Sequence, residues 1–291
     1  MRKNVAKYRR KGGISARIVR GVAFVFLVII ACILLYPFAF AINSSLKADD
    51  PSFLMEMNKL SIPPRFRNYI DAFTALKVGD TTYAQMFFNS IWYSVGRTVL
   101  NIFFSLCLAY AVACYNFKGK DFLYKLVLFV LVLPSFGTLA ARYKLYDSLG
   151  MIDSPLILLA YCGAFDGIFL ILYAFFKGIS WDYAESAFID GASHAQVFFK
   201  IMIPMVMPAA MTMAVTNFII AWNDYSSVLL YMPSLPTLTS GLYSFDVLQR
   251  YAADRPIFYA GLIISIIPIF IIFLVMQNSI MSQVYVGGVK E

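Results

Sequence analysis

MRKNVAKYRRKGGISARIVRGVAFVFLVIIACILLYPFAFAI, residues 1–42, decides the fold class. Residues 1–20 hold eight Lys or Arg and no acid, and residues 21–42 are apolar throughout, with a single proline, Pro37. A run of that length crosses the roughly 30 Å hydrocarbon core of a bilayer as a helix. A basic head, an apolar run and Ala39-Phe40-Ala41 also match the outline of a signal peptide. The run exceeds the usual apolar stretch of about 7–15 residues, however, and further apolar segments follow. It reads as a first membrane helix with its N-terminus in the cytoplasm, where basic residues are retained.

The rest of the chain extends this reading. Of 291 residues, 60% are hydrophobic and 14% charged, against averages of about 45–50% and 25% in soluble domains. With a mean hydropathy of +0.72, the apolar surplus cannot be hidden in a soluble core. A soluble enzyme, a disordered tail and a nucleic-acid-binding domain are poor readings, and the net charge of +8 belongs at a membrane. Five more apolar segments, near 86–114, 122–141, 156–176, 203–223 and 258–277, are each long enough to span as helices. The alternating segments of about 10 residues that mark a membrane β-barrel do not occur.

The predicted fold is an all-α membrane protein of six transmembrane helices with both termini cytoplasmic. It divides into a basic N-terminus (1–20), helix one (21–42), an outer loop (43–85), a five-helix core (86–278) containing a cytoplasmic segment at 177–203, and a cytoplasmic tail (279–291). On this topology 14 of the 24 Lys and Arg lie inside, nine outside, and Arg97 within the membrane. The first, purely basic block carries most of that orientation signal.

Motifs for covalent chemistry are missing. Cys32, Cys107, Cys114 and Cys162 all lie in apolar stretches, none in a C-x-x-C pair, and read as small buried hydrophobes. One histidine, His194, does not build a metal site, so no metal ligands are assigned. The only Gly-Lys pair, Gly119-Lys120, lies outside any phosphate-loop pattern, and H-E-x-x-H and G-x-S-x-G are absent. If ATP and magnesium take part, another chain must hold them; no cofactor is expected here, and the chain is not expected to be an enzyme.

KGISWDYAESAFIDGASHAQVFFKIMIP, residues 177–204, reads as two short helices around a turn. Ser180 suits an N-cap, Asp182 favours the first turn, Gly191 supplies a left-handed position, and Ser193-x-x-Gln196 is a capping box for a second helix running to Pro204. Trp181, Ala184 and Phe188 make one apolar stripe, with Glu185 off it. From these residues alone, a packed cytoplasmic elbow and a docking element for another protein are equally good readings.

The spacing here resembles the signature E-A-A-x3-G-x9-I-x-L-P of the permease subunits of binding-protein-dependent ABC importers. Glu185-Ser186-Ala187, Gly191, Ile201 and Pro204 carry it; Ser186 replaces Ala and Ile203 replaces Leu, both small changes. Asp190 and Ala192 flank the glycine as in the sugar-importing branch. Pro63-Pro64, Asn68-Tyr69, Asn89-Ser90, Leu133-Pro134-Ser135, the run Leu149 to Ser154, Trp222-Asn223-Asp224 and the end from Val286 to Glu291 extend the resemblance over most of the chain. They are similar to the shorter permease of the maltose importer.

The resemblance implies a multi-pass bacterial or archaeal cell-membrane subunit forming half of a passage for a sugar or oligosaccharide. It implies a second permease subunit, two ATP-binding subunits with ATP and Mg, and an extracellular or periplasmic solute-binding protein, with no nucleic acid. Glu185, Ser186, Ala187, Asp190, Gly191, Ala192, Ile201 and Pro204 would couple to the ATPase. Gly287, Gly288, Val289 and Lys290 would form an ATPase-contacting tail, the alternative being a frayed terminus. Another solute on the same machinery, or an ion-coupled secondary transporter, are the rival functions.

Arg97 in the predicted helix two costs about 2.5–3.5 kcal/mol to insert, so it must face protein or water. Asp166, placed mid-helix in the fourth segment, is its expected partner in a buried ion pair; the other reading makes both line the passage. Asn217, Asn223 and Asp224, with the softer candidates Asn101, Thr212 and Thr216, are further possible lining groups, although hydrogen bonds between helices in lipid are equally ordinary.

Overall fold

The computed structural model describes residues 14–48, 50–133, 137–248 and 254–286. The apolar run at 21–42 sits inside a longer helix, α1 (Ile14–Ser45). Its side chains from Ile18 to Phe38 are exposed on all faces, the pattern of a helix whose surroundings are lipid. Four described stretches are long and apolar enough to cross a membrane: Ile18–Ser45, Tyr83–Cys114, His194–Trp222 and Arg255–Gln277.

The loop after α1 has structure of its own. It holds α2 (Asp50–Met55), α3 (Asn68–Ala75) and a two-residue hairpin of β1 (Lys77–Val78) and β2 (Thr81–Thr82), a small exception to the all-α expectation. Lys47 is buried there, its ammonium satisfied by the carbonyls of Glu56 and Lys59 at 2.5 and 3.3 Å. Asn68 ties the loop back by donating to the carbonyls of Ser45 and Lys47.

α4 (Tyr83–Cys114) is the central helix, started by a Thr82/Gln85 capping box. Its buried face carries Ser90, Ser94, Thr98, Asn101, Ser105, Ala109 and Ala113, one small or polar residue every three or four positions. Small side chains at that spacing let neighbouring backbones come close where lipid offers no hydrophobic drive, and two helices of the second half, α7 (Gly167–Lys177) and α10 (Ile203–Trp222), pack there. The last helix, α13 (Arg255–Val286), lies against α1, α3 and α10. It approaches α4 at Gly261, whose carbonyl accepts from the Tyr83 hydroxyl at 2.6 Å and where any Cβ would run into Leu76.

The third and fourth apolar segments differ from the sequence reading. The segment at 122–141 is helical only as α5 (Lys120–Val132) before α6 (Leu139–Ser148) begins, and the segment at 156–176 splits into a 3₁₀ turn (Pro155–Tyr161) and α7. The breaks have chemical causes. Gly137 adopts a left-handed φ of 79°, and Asp166 accepts hydrogen bonds from the freed N–H groups of α7. Asp166 is therefore an N-cap, and the mid-helix placement is corrected.

The segment from 177 to 203 forms α8 (Asp182–Ile189) and α9 (His194–Val197) around Gly191, whose φ of 85° is the left-handed conformation that favours glycine. Ser193 and Gln196 form the capping box. The second helix runs on toward Pro204 and into the next apolar segment. A π turn at Phe198–Met202 carries α9 into α10, giving one continuous stretch from His194 to Trp222. Pro204 is the second residue of α10, directly after the π turn. α11 (Tyr225–Tyr231) and α12 (Leu238–Leu248) complete the chain before α13. The basic residues 1–13 and the tail residues Gly287, Gly288, Val289 and Lys290 lie outside the described residues.

Candidate functional site

Polar groups converge where α4, α7, α10 and α11 meet. Arg97, on α4, places Nη1 2.5 Å from Oδ2 of Asp224, the residue that caps α11. The side chains are 15% and 14% exposed. The guanidinium also donates to the Tyr93 hydroxyl at 3.3 Å and stacks 4.2 Å from the ring centre of Tyr161. Tyr93 and Tyr161 share a hydrogen bond of 2.8 Å.

The expected Arg97–Asp166 pair does not form, because both acids are already committed. Asp166 Oδ1 accepts from the backbone N–H of Ile168 and Phe169 at 3.0 and 3.1 Å, and Oδ2 accepts from Asn101 at 2.9 Å. A helix N-terminus thus stabilises the Asp166 charge without a cation. Asp224 caps α11 through Ser227, accepting at 3.0 Å, and uses its second oxygen for Arg97. Asn217 on α10 donates to Asn101 Oδ1 at 2.7 Å and closes the chain of bonds.

Two cavities flank this cluster and share Arg97 and Tyr161 in their walls. The smaller, about 310 Å³, is lined by Asn101, Asp166, Thr216 and Asn217 with Ile168, Met213 and Ile220. The larger, about 530 Å³, adds Arg142, Tyr146, Tyr225 and Tyr243. Of the sequence candidates, Arg97, Asp166, Asn217 and Asp224 are brought together. Asn223 is not: it is exposed, and its amide is spent on the carbonyl of Ile219 within its own helix. Thr212 likewise bonds back to Pro208. The tyrosines went unseen in the sequence, since they come from separate loops and short helices with no common period.

The second candidate region is α8 and its turn. Ala184 is fully buried, and Trp181 and Phe188 pack beside it onto the core at the α4, α7 and α10 ends. His194 joins them, its Nδ1 sharing a hydrogen bond of 2.9 Å with the Tyr115 hydroxyl. The histidine thus has a structural partner. The opposite face presents Tyr183, Glu185, Ser186, Ile189 and Asp190 to the surroundings, with Ile189 86% exposed. Ala187 and Ala192 are half-buried against the same core. Ile201 lies in the π turn that leads into Pro204.

Residues 102–280 match the family described as "Binding-protein-dependent transport system inner membrane component". The arabinooligosaccharides transport system permease protein AraQ of Bacillus subtilis is 30% identical over 267 residues, covering 91% of this chain and 94% of that protein. The diacetylchitobiose uptake system permease protein NgcG of Streptomyces coelicolor is 26% identical, covering 97% and 92%. Among solved structures, a chain of a bacterial ABC transporter involved in the import of the acidic polysaccharide alginate superposes with a TM-score of 0.77 at 23% identity. The match covers 92% of this chain and 98% of that one, which establishes a common fold.

Proposed function

The chain belongs to the family of binding-protein-dependent transport system inner membrane components, permease subunits that are not themselves enzymes, and from that premise we propose that it forms half of an ATP-driven import passage for an oligosaccharide. It spans the membrane six times with both termini in the cytoplasm. A second permease completes the passage, two ATPase subunits carry ATP and Mg, and a solute-binding protein delivers the sugar. Relatives named for arabinooligosaccharides, diacetylchitobiose and galactooligosaccharides support the substrate class.

One observation carries the coupling role. α8 is anchored on one side by Ala184, Trp181 and Phe188 while its other side leaves Tyr183, Glu185 and Ile189 uncovered, and its turn leads without a break into a 29-residue helix. An apolar and acidic face held on a rigid support is suited to a groove with a basic wall. Asp190 and Gly191 set the turn, and Ile201 and Pro204 lie where the helix enters the membrane.

Glu185→Lys and Gly191→Asp test this. Each variant is expected to reach the membrane at wild-type level while uptake and co-purification of the ATPase subunit fall by about tenfold or more, since either change puts a wrong charge or a strained backbone at the contact. Near-normal uptake in both variants overturns the coupling role. Titrating the solute-binding protein against mono- and oligosaccharides identifies the sugar.

A further inference from the structure

The larger cavity has a chemistry that neither the Arg97–Asp224 pair nor α8 accounts for. Tyr225, at the start of α11, and Tyr243, in α12, stack with ring centres 4.6 Å apart and 22° between planes. Both remain more than two-fifths exposed, at 41% and 44%, so ring surface is left over. Tyr161 and Tyr146 stand in the same wall. At the rim Arg142 is exposed and donates to the Thr138 hydroxyl at 3.2 Å; among the described residues it forms no ion pair.

No carboxylate is among the lining residues, and the deep cation, Arg97, is already matched by Asp224. Free aromatic faces, hydroxyls and the Arg142 guanidinium around 530 Å³ suit a small uncharged molecule with an apolar face and a hydroxylated edge. Interface tyrosines that merely anchor a helix in lipid have no need to stack on one another across two elements and enclose a space.

We propose that this cavity is a saccharide-binding vestibule belonging to this subunit itself, taking a short neutral oligosaccharide. Tyr225 and Tyr243 are the stacking platform, and Arg142 donates to sugar hydroxyls at the mouth. The proposal rests on the import reading above and adds where, on this chain, the sugar is held. Tyr161, shared with the smaller cavity, marks the way onward.

The test uses the complete importer in proteoliposomes, with arabino-, galacto- and malto-series sugars from mono- to trisaccharide as probes. Tyr225→Ala and Tyr243→Ala are expected to co-purify with their partners and to lower trisaccharide uptake about tenfold, with Tyr225→Phe and Tyr243→Phe within about twofold of wild type, because the ring face and not the hydroxyl does the stacking. Monosaccharide uptake is expected to change less than trisaccharide uptake, which a general packing defect would not produce. Alanine variants with wild-type trisaccharide uptake overturn the vestibule, as does an equal loss for every chain length. Stronger competition by trigalacturonate than by neutral trisaccharides overturns the neutral class. If the wild-type importer takes up none of these saccharides, the oligosaccharide reading itself fails, and the vestibule with it.

Discussion

Arg97 illustrates how a charge is kept inside a membrane protein. Its guanidinium is neutralised by Asp224, hydrogen-bonded to Tyr93 and stacked on Tyr161, so little of its desolvation is left uncompensated. Removing one partner alone is expensive, because the other charge stays buried. Asp224→Leu is expected to cost about 3–5 kcal/mol, read as a fall in thermal unfolding temperature of the purified complex. The double variant Arg97→Leu/Asp224→Leu is expected to recover most of the loss. A wild-type melting temperature for Asp224→Leu would show that the pair contributes nothing. The sequence named Arg97 correctly but assigned it the wrong acid, since 69 residues of separation to Asp166 and 127 to Asp224 carry no geometric information. The signal that was present lay next to each acid. Asp166-Gly167 and Asp224-Tyr225-Ser226-Ser227 are helix starts, and an aspartate at such a start has two occupations open to it.

Elements were legible where one rule governed them. α1, α4, α10 and α13 are long apolar stretches, and length with hydropathy sufficed to place them. Apolarity alone makes single helices of 122–141 and 156–176, because it says nothing about continuity; Gly137 and Asp166 carry that information. Their helical pieces are short, so their ends matter more than in a full span. Asp166→Ala is expected to destabilise the first turn of α7 by about 1 kcal/mol, the usual worth of an N-cap, and to speed amide exchange at Ile168 and Phe169. Asp166→Asn, which keeps the acceptor, is expected to exchange at a rate near wild type. Unchanged protection in Asp166→Ala would mean that α7 is held by packing alone. The turn at Gly191 shows the opposite case: its glycine, its capping box and its apolar stripe all agreed, and the local geometry followed.

For the molecule as a whole, the distribution of basic residues predicts an orientation with the N-terminus in the cytoplasm. Single cysteines placed at Arg65 and Lys118 in a background lacking the four native ones distinguish the two possible orientations. The cysteine at 65 is expected to react with a membrane-impermeant maleimide added to intact cells, and the one at 118 only in inverted vesicles. The reverse pattern overturns the topology. The unbroken stretch from His194 to Trp222 then has a mechanical meaning. At about 1.5 Å per residue, its 29 residues make a lever about 43 Å long, and a swing of about 10° about one end moves the other by about 7 Å. Two residues beyond the far end stands Asp224, holding Arg97 at 2.5 Å. A push on the near end that is not absorbed by bending at the π turn or at Pro208 is expected to carry α4 along or to part the two charges, which would join force at one end of the rod to the opening of a polar clasp at the other.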